Sequence, residues 1–135
     1  MTWAVLVVDD NALIRKAVRS LFKGEIDFEV IGEAEHGAQA VEKAIGLRPH
    51  LIILDFRMPV MNGLEAAPIL RTSLPTVFII MLTLFWGEEM ESSARKAGIH
   101  AFVPKDRAAT HLLPTARALF KERPIPNGES ARAKV

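Results

Sequence analysis

The sequence contains no cysteine among its 135 residues. This absence excludes disulfide bonds, thiol catalysis and cysteine-ligated metal sites, and it is compatible with a reducing compartment. All apolar runs are shorter than the ~20 residues that a membrane-spanning helix needs. The start of the chain lacks the basic leader of a secretory signal and reaches two aspartates by residue 10. We therefore expect a cytoplasmic domain that is not associated with a membrane.

An excess of charge of one sign is also missing, since 17 lysines and arginines oppose 16 acidic residues. The formal net charge of +1 gives no general attraction to nucleic acid or to a membrane surface. Neither of two common nucleotide-binding patterns, Gly-x-x-x-x-Gly-Lys and Gly-x-Gly-x-x-Gly, occurs. The histidines have no metal-ligand spacing; they are His36, His50, His100 and His111. Nucleotide binding and histidine-ligated metal chemistry are therefore unsupported.

Five short apolar runs alternate with five segments of helical periodicity. The apolar runs predict strands at 3–8, 28–32, 51–54, 77–82 and 101–103. The periodic segments predict helices near 13–22, 38–45, 64–71, 88–97 and 107–121. This alternation predicts a single α/β domain over residues 1–122, with a parallel sheet covered by helices on both faces. Residues 123–135 have no apolar periodicity, so we expect them to be a disordered tail.

Polar residues with complementary chemistry follow four of the predicted strands. Asp9 and Asp10 end the first strand, Asp55 the third and Thr83 the fourth, and Lys105 follows the fifth. The carboxyl ends of parallel strands share one edge of a sheet, and α/β proteins place their sites there. Each residue alone is more often a polar turn, a helix cap, a strand end or a solvated charge than part of a functional site. Their joint placement is what predicts a functional site.

The predicted site has the components of phosphoryl transfer. Three carboxylates are costly to bury together unless a cation joins them, and oxygen ligands beside phosphate favour Mg²⁺. Asp55 can act as a nucleophile that forms an acyl phosphate. The ammonium of Lys105 can hold a phosphoryl oxygen, and the hydroxyl of Thr83 can donate a hydrogen bond to it.

At this point the sequence resembles the receiver domain of bacterial two-component response regulators over residues 3–121. The matching segments are VLVVDDN, LIILDFRMPVMNGLEA, MLT and AGIHAFVPKD. The segment GEAEHGAQAVE and the ending VPKD are most similar to receivers of LuxR-type regulators. The resemblance implies a flavodoxin-like, CheY-like fold, in which a doubly wound five-stranded parallel sheet carries five helices. In LuxR-type regulators a DNA-binding helix-turn-helix usually follows. These 135 residues do not include one. We therefore expect either a stand-alone receiver or a fragment of a longer regulator, and no nucleic-acid binding by this chain itself.

The resemblance assigns a role to each residue of the site. Asp55 would be the phosphoacceptor for a histidine kinase or a phosphotransfer protein, and Lys105 would bind the phosphate. Mg²⁺ would be bound by Asp9, Asp10, Asp55 and the backbone carbonyl of Arg57. Such a domain is a switch that assists its own phosphorylation and dephosphorylation, rather than a turnover enzyme.

The resemblance also implies a conformational response. Thr83 would be the switch hydroxyl, and Phe102 falls where an aromatic ring changes rotamer on activation. The fourth helix, fifth strand and fifth helix would then form a remodelled face for a partner or for a second copy of the chain. The bulky Leu84, Phe85 and Trp86 beside that face depart from the family pattern, which usually has small or polar residues there.

Two further features affect the phosphorylated state and the fold. Water must approach phosphorus opposite Asp55, and the side chains that control this approach are those of Arg57 and Phe85, with Leu84 narrowing the opening. We therefore expect slow hydrolysis of the acyl phosphate. Pro68 falls within the predicted third helix, where proline removes a backbone hydrogen bond.

Three alternatives share parts of the pattern. A small aspartyl-phosphate hydrolase needs a second acid two residues after its nucleophile, where this chain has Arg57. A flavodoxin-like flavin-binding module needs a neutral phosphate loop, whereas Asp9 and Asp10 would repel a flavin phosphate. A pseudo-receiver would act only as a protein-interaction module, for which an intact set of site residues is unnecessary.

Overall fold

The computed structural model describes residues 2–84 and 87–121. Its strands are β1 (Trp3–Val8), β2 (Phe28–Ala34), β3 (Leu51–Leu54), β4 (Phe78–Thr83) and β5 (Ala101–Pro104). Its α-helices are α1 (Ala12–Phe22), α2 (Gly37–Leu47), α3 (Gly63–Ser73), α4 (Glu88–Ala97) and α5 (Ala108–Phe120). One turn of 3₁₀ helix, Lys105–Arg107, connects β5 to α5. None of the helices in these two ranges is long and apolar enough to span a bilayer.

The five strands form one parallel sheet in the order β2-β1-β3-β4-β5. The strand order reverses direction at β1 and β3, where the chain moves from one half of the sheet to the other. This is the doubly wound arrangement, and it confirms the predicted fold class. In such sheets the crevice at the reversal point, outside the carboxyl ends of the strands, is where ligands bind.

Both faces of the sheet are covered, because successive strand residues point to opposite sides. One face packs against α2, α3 and α4, and its core includes Leu6, Ile52 and Ile79. The other face packs against α1 and α5, and its core includes Val5 and Ile53. Since both faces are buried, the strands are nearly continuous in apolar residues, as the sequence shows.

Helix caps fix the loops at the functional edge of the sheet. The side chain of Asn11 accepts hydrogen bonds from the backbone at the start of α1. Asn62 and Glu65 form a reciprocal capping box at the start of α3. At the other edge, Nδ1 of His50 accepts from the backbone N–H of Ala4, so this histidine extends strand pairing.

The element boundaries differ from the sequence prediction by one or two residues at most ends. β2 extends to Ala34, β4 covers Phe78–Thr83, and the last helix starts at Ala108 because the preceding residues form the 3₁₀ turn. Pro68 lies inside α3 without ending it, because the capping box and buried side chains on both sides of the proline stabilise the helix. The predicted tail, 123–135, lies outside the described residues.

Candidate functional site

Strand pairing places two aspartates side by side at the carboxyl edge of the sheet. Val8 is paired with Leu54 across β1 and β3, so the residues that follow them, Asp9 and Asp55, are neighbours. The backbone N–H of Asp55 donates to the Val8 carbonyl at 2.9 Å, which continues the strand pairing. Both aspartates are buried, and each is at most 4% exposed.

A lysine ammonium completes the buried part of the site. Nζ of Lys105 lies 2.9 Å from Oδ2 of Asp9 and 3.2 Å from Oδ1 of Asp55. Thr83, which is also buried, ends β4 opposite Pro104, the residue just before Lys105. The four predicted side chains therefore meet at one edge because four separate strands end there.

The acidic residues form a group suited to a hard cation. Asp9, Asp10 and Asp55 each offer a carboxylate oxygen, and the three oxygens lie within 4.8 Å of one another. Asp10 is exposed, so the group opens to solvent on one side. Three carboxylates in this arrangement fit Mg²⁺, which takes oxygen ligands and keeps several waters. The carbonyl of Arg57 as a fourth protein ligand stays a prediction.

The charges in this site shift its proton equilibria. The pKa of the Asp55 carboxyl rises from 3.8 to about 6, mainly through burial and then through the Asp9 carboxylate, while Lys105 opposes the rise. Burial alone would lower the pKa of Lys105, but the hydrogen bond to Asp9 and the two carboxylates outweigh it and raise the pKa. At neutral pH the site therefore contains a protonated lysine beside an Asp55 carboxyl that is mostly ionised.

Gly63 is a residue of the site that the sequence alone did not single out. A Cβ atom at Gly63 would collide with the backbone oxygen of Asp55 and crowd the backbone of Phe56. Its N–H also donates to the Phe56 carbonyl at 2.9 Å. Only glycine lets the start of α3 approach this closely.

The residues predicted to act in the switch or to set the lifetime of the phosphate differ in their burial. Phe102 is half-buried on β5, and the Arg95 guanidinium of α4 lies over its ring. Arg57 is exposed in the β3–α3 loop, and Leu84 is 68% exposed just after β4. Two residues predicted to lie beside them are outside the described residues; they are Phe85 and Trp86. Their roles stay predictions.

Two curated proteins are similar to most of this chain. The transcriptional regulatory protein LnrK of Bacillus subtilis is 34% identical over 105 residues, which cover 78% of this chain and 48% of LnrK. The response regulator protein VraR of Staphylococcus aureus is 34% identical over 117 residues, which cover 87% of this chain and 56% of VraR. The chain thus spans about half the length of these relatives.

A solved structure and a family model agree with this likeness. A LuxR-family DNA-binding response regulator from Staphylococcus aureus superposes with a TM-score of 0.80 at 26% identity, over 87% of this chain and 98% of that one. The model described as the response regulator receiver domain matches residues 5–117. This chain therefore belongs to the family of response regulator receiver domains of two-component systems, and it is similar to the LuxR-type members.

Proposed function

We propose that Asp55 accepts a phosphoryl group from a histidine kinase or a phosphotransfer protein in a reaction that requires Mg²⁺. The observation that carries this proposal is the contact of one ammonium, that of Lys105, with both Asp9 and Asp55 beside an acidic group open to solvent. Asp9, Asp10, Asp55 and the Arg57 carbonyl would hold the ion. The bound ion would supply positive charge to the phosphoryl oxygens.

The transfer itself needs little beyond positioning and charge. A carboxylate oxygen of Asp55 attacks phosphorus, and the bond between phosphorus and the donor nitrogen breaks, with the electron pair leaving on the donor. At neutral pH most Asp55 is ionised because its pKa is about 6. The ammonium of Lys105 contacts the Asp55 carboxylate and would donate a hydrogen bond to an oxygen of the transferred phosphoryl group. The domain would assist its own phosphorylation and hydrolysis in this way.

Phosphorylation would then be transmitted to the surface formed by α4, β5 and α5. Thr83 stands at the end of β4, next to the strand that carries Phe102. A hydrogen bond from its hydroxyl to the phosphate would draw Thr83 inward, and Phe102 would turn into the space that this opens. A partner protein or a second copy of the chain would dock on the remodelled surface.

Acetyl phosphate provides a direct test without a partner protein. Wild type should be modified in Mg²⁺ but not in EDTA, as seen by phosphate-affinity gel mobility, with acetate as the leaving group. Asp55→Asn should abolish the modification, while Asp106→Asn, a change at an exposed acid near Lys105, should not. Equal labelling of wild type and Asp55→Asn would refute the proposal. Labelling that does not depend on Mg²⁺ would refute the requirement for the metal.

A further inference from the structure

Arg15 of α1 makes two hydrogen bonds close to the acidic group. Its Nη1 donates to the backbone carbonyl of Asp9 at 2.7 Å, and its Nε donates to Oε1 of Glu33 on β2 at 2.8 Å. The arginine side chain is only 14% exposed. This guanidinium is mostly buried and joins α1, β2 and the loop that contains Asp9 and Asp10. Such a contact differs from an exposed surface ion pair, which contributes little.

The carbonyl that Arg15 contacts belongs to the peptide between Asp9 and Asp10. The rest of Asp9 is already fixed: its N–H donates to the Ala34 carbonyl at 3.0 Å, and its carboxylate contacts Lys105 and the N–H of Asn11. A peptide is planar, so fixing its carbonyl also fixes the direction in which the chain leaves toward Asp10. The bond from Arg15 therefore holds the backbone from which the exposed Asp10 side chain extends.

We propose that Arg15 is a positioning residue that orients the Asp9–Asp10 peptide and so sets the Mg²⁺ affinity of the site. This inference rests on the proposed function, because it assumes that Mg²⁺ binds the three aspartates. Glu33 orients Arg15 by accepting from Nε, and Glu33 is itself held in β2, where its carbonyl accepts from Nζ of Lys43 at 2.5 Å. The network thus runs from α2 and β2 through Arg15 to the metal loop.

Arg19 offers a matched comparison within the same network. Its Nη1 lies 3.1 Å from Oε2 of Glu33, so both arginines share one carboxylate. Its side chain is 46% exposed, and among the residues that the structure describes it makes no hydrogen bond to Asp9. Changing Arg19 therefore removes a positive charge and a contact to Glu33 while leaving the Asp9 carbonyl bonded.

Charge and position predict opposite effects at Arg15. If Arg15 acted only through its charge, replacing it with methionine would remove a cation near the site and tighten Mg²⁺ binding. If it positions the Asp9–Asp10 peptide, the same substitution should weaken binding, since Asp10 is no longer held in place. Arg15→Lys keeps the charge but cannot donate to both acceptors in the same geometry, so it should lie between Arg15→Met and wild type.

The test is Mg²⁺ affinity measured from the rise in melting temperature with added MgCl₂, on the full chain. We expect Kd to increase at least fivefold in Arg15→Met, two- to fivefold in Arg15→Lys, and less than twofold in Arg19→Met. An Arg15→Met affinity equal to or tighter than that of wild type overturns the inference. So does equal weakening by Arg19→Met. If Arg15→Met does not fold in EDTA, Arg15→Lys decides, and a change of less than twofold overturns it.

The outcome can be separated from a failure of the proposed function. Acetyl phosphate labelling of wild type at saturating Mg²⁺ tests that function without reference to Arg15. If wild type is labelled and Arg15→Met binds Mg²⁺ normally, only the positioning role is refuted. If wild type does not bind Mg²⁺, the proposed function is refuted and the positioning role with it. If both the proposed function and the positioning role are correct, acetyl phosphate should label Arg15→Met as well as wild type once Mg²⁺ is high enough to saturate the weakened site.

Discussion

The guanidinium carbon of Arg95 lies 5.1 Å from the centre of the Phe102 ring, so α4 contacts the residue that we expect to change rotamer. Arg95 is held in place by Glu91 one turn earlier, with Nη2 at 3.0 Å from Oε2. A cation over an aromatic face contributes ~0.5–1 kcal/mol at an exposed site. This contact therefore stabilises the present position of Phe102 against an inward turn.

Arg95→Met should accordingly shift the domain toward its activated form. Loss of ~0.5–1 kcal/mol from the unphosphorylated state corresponds to roughly two- to fivefold tighter binding of beryllofluoride, a phosphoryl mimic. Titration of the melting temperature with beryllofluoride in Mg²⁺ measures this affinity. Lys96→Met removes the neighbouring exposed charge on α4 and should leave it unchanged. Equal affinities for wild type and Arg95→Met would show that the contact does not oppose the switch.

The raised pKa of Asp55 makes folding stability depend on pH in the absence of metal. Its folded value of about 6 exceeds the ordinary 3.8, so the folded state binds the proton more tightly than the unfolded state. The contribution of Asp55 to the free energy of unfolding is therefore fully present below pH 3.8. This contribution is lost as pH rises through about 6. Asp55→Asn should remove this loss, and the gain over wild type should reach on the order of 3 kcal/mol above pH 7.

Urea unfolding in EDTA from pH 4 to 8 measures that gain. Asp27→Asn serves as a control of opposite sign, because the hydrogen bond from Arg117 lowers the pKa of the Asp27 carboxyl. A lowered pKa stabilises the fold above the ordinary value, and this stabilisation is lost as pH falls through the folded value. Asp27→Asn should therefore destabilise at neutral pH. A pH-independent difference between wild type and Asp55→Asn would contradict the assignment.

Much of the fold was predictable because both faces of the sheet are buried. Continuous apolar runs such as Leu51–Leu54 locate the strands, and the polar residue after each run locates the site edge. The ends of elements were less predictable because they depend on side-chain contacts. For example, α3 continues through Pro68 because of the capping box at its start and its buried apolar side chains.

The site was predictable where it depends on strand ends and unpredictable where it depends on helix placement. Asp9, Asp55 and Lys105 meet because parallel strands share an edge. Arg15 and Arg95, by contrast, look like ordinary exposed charges of amphipathic helices in the sequence. Their contacts with the Asp9 carbonyl and the Phe102 ring follow only from how α1 and α4 pack on the sheet.

Val60 carries backbone strain in the β3–α3 loop. Its φ of 69° lies in the left-handed region, which a β-branched side chain rarely adopts, and 80% of the residue is exposed. Asparagine tolerates this conformation, so Val60→Asn should stabilise the fold by ~1 kcal/mol in urea unfolding. Ile26, which is 90% exposed and does not have a positive φ, gives the control, since Ile26→Asn should bring no gain. A gain of similar size at both positions would point to reduced surface hydrophobicity instead of relieved strain.

The lifetime of the phosphorylated form depends on access of water to phosphorus. Hydrolysis needs a water in line with the bond to Asp55, and we expect from the sequence that Arg57 and Phe85 control its approach. The structure has Arg57 exposed in the loop that follows Asp55 and Leu84 exposed just after β4. Phenylalanine cannot hydrogen-bond a water, and a guanidinium binds phosphoryl oxygens, so neither residue would assist the attack.

We therefore expect the phosphorylated domain to persist for many minutes or longer. Arg57→Asn and Phe85→Glu should each speed decay, because they open the approach to phosphorus or offer a group that orients water. Each ~1.4 kcal/mol removed from the barrier makes hydrolysis tenfold faster. Decay is measured on phosphate-affinity gels after donor removal. Arg48→Asn makes the same exchange at an exposed residue before β3, at the opposite edge of the sheet, and should leave the rate unchanged. Acceleration below about threefold in both single variants and in the double variant would mean that these side chains do not exclude water.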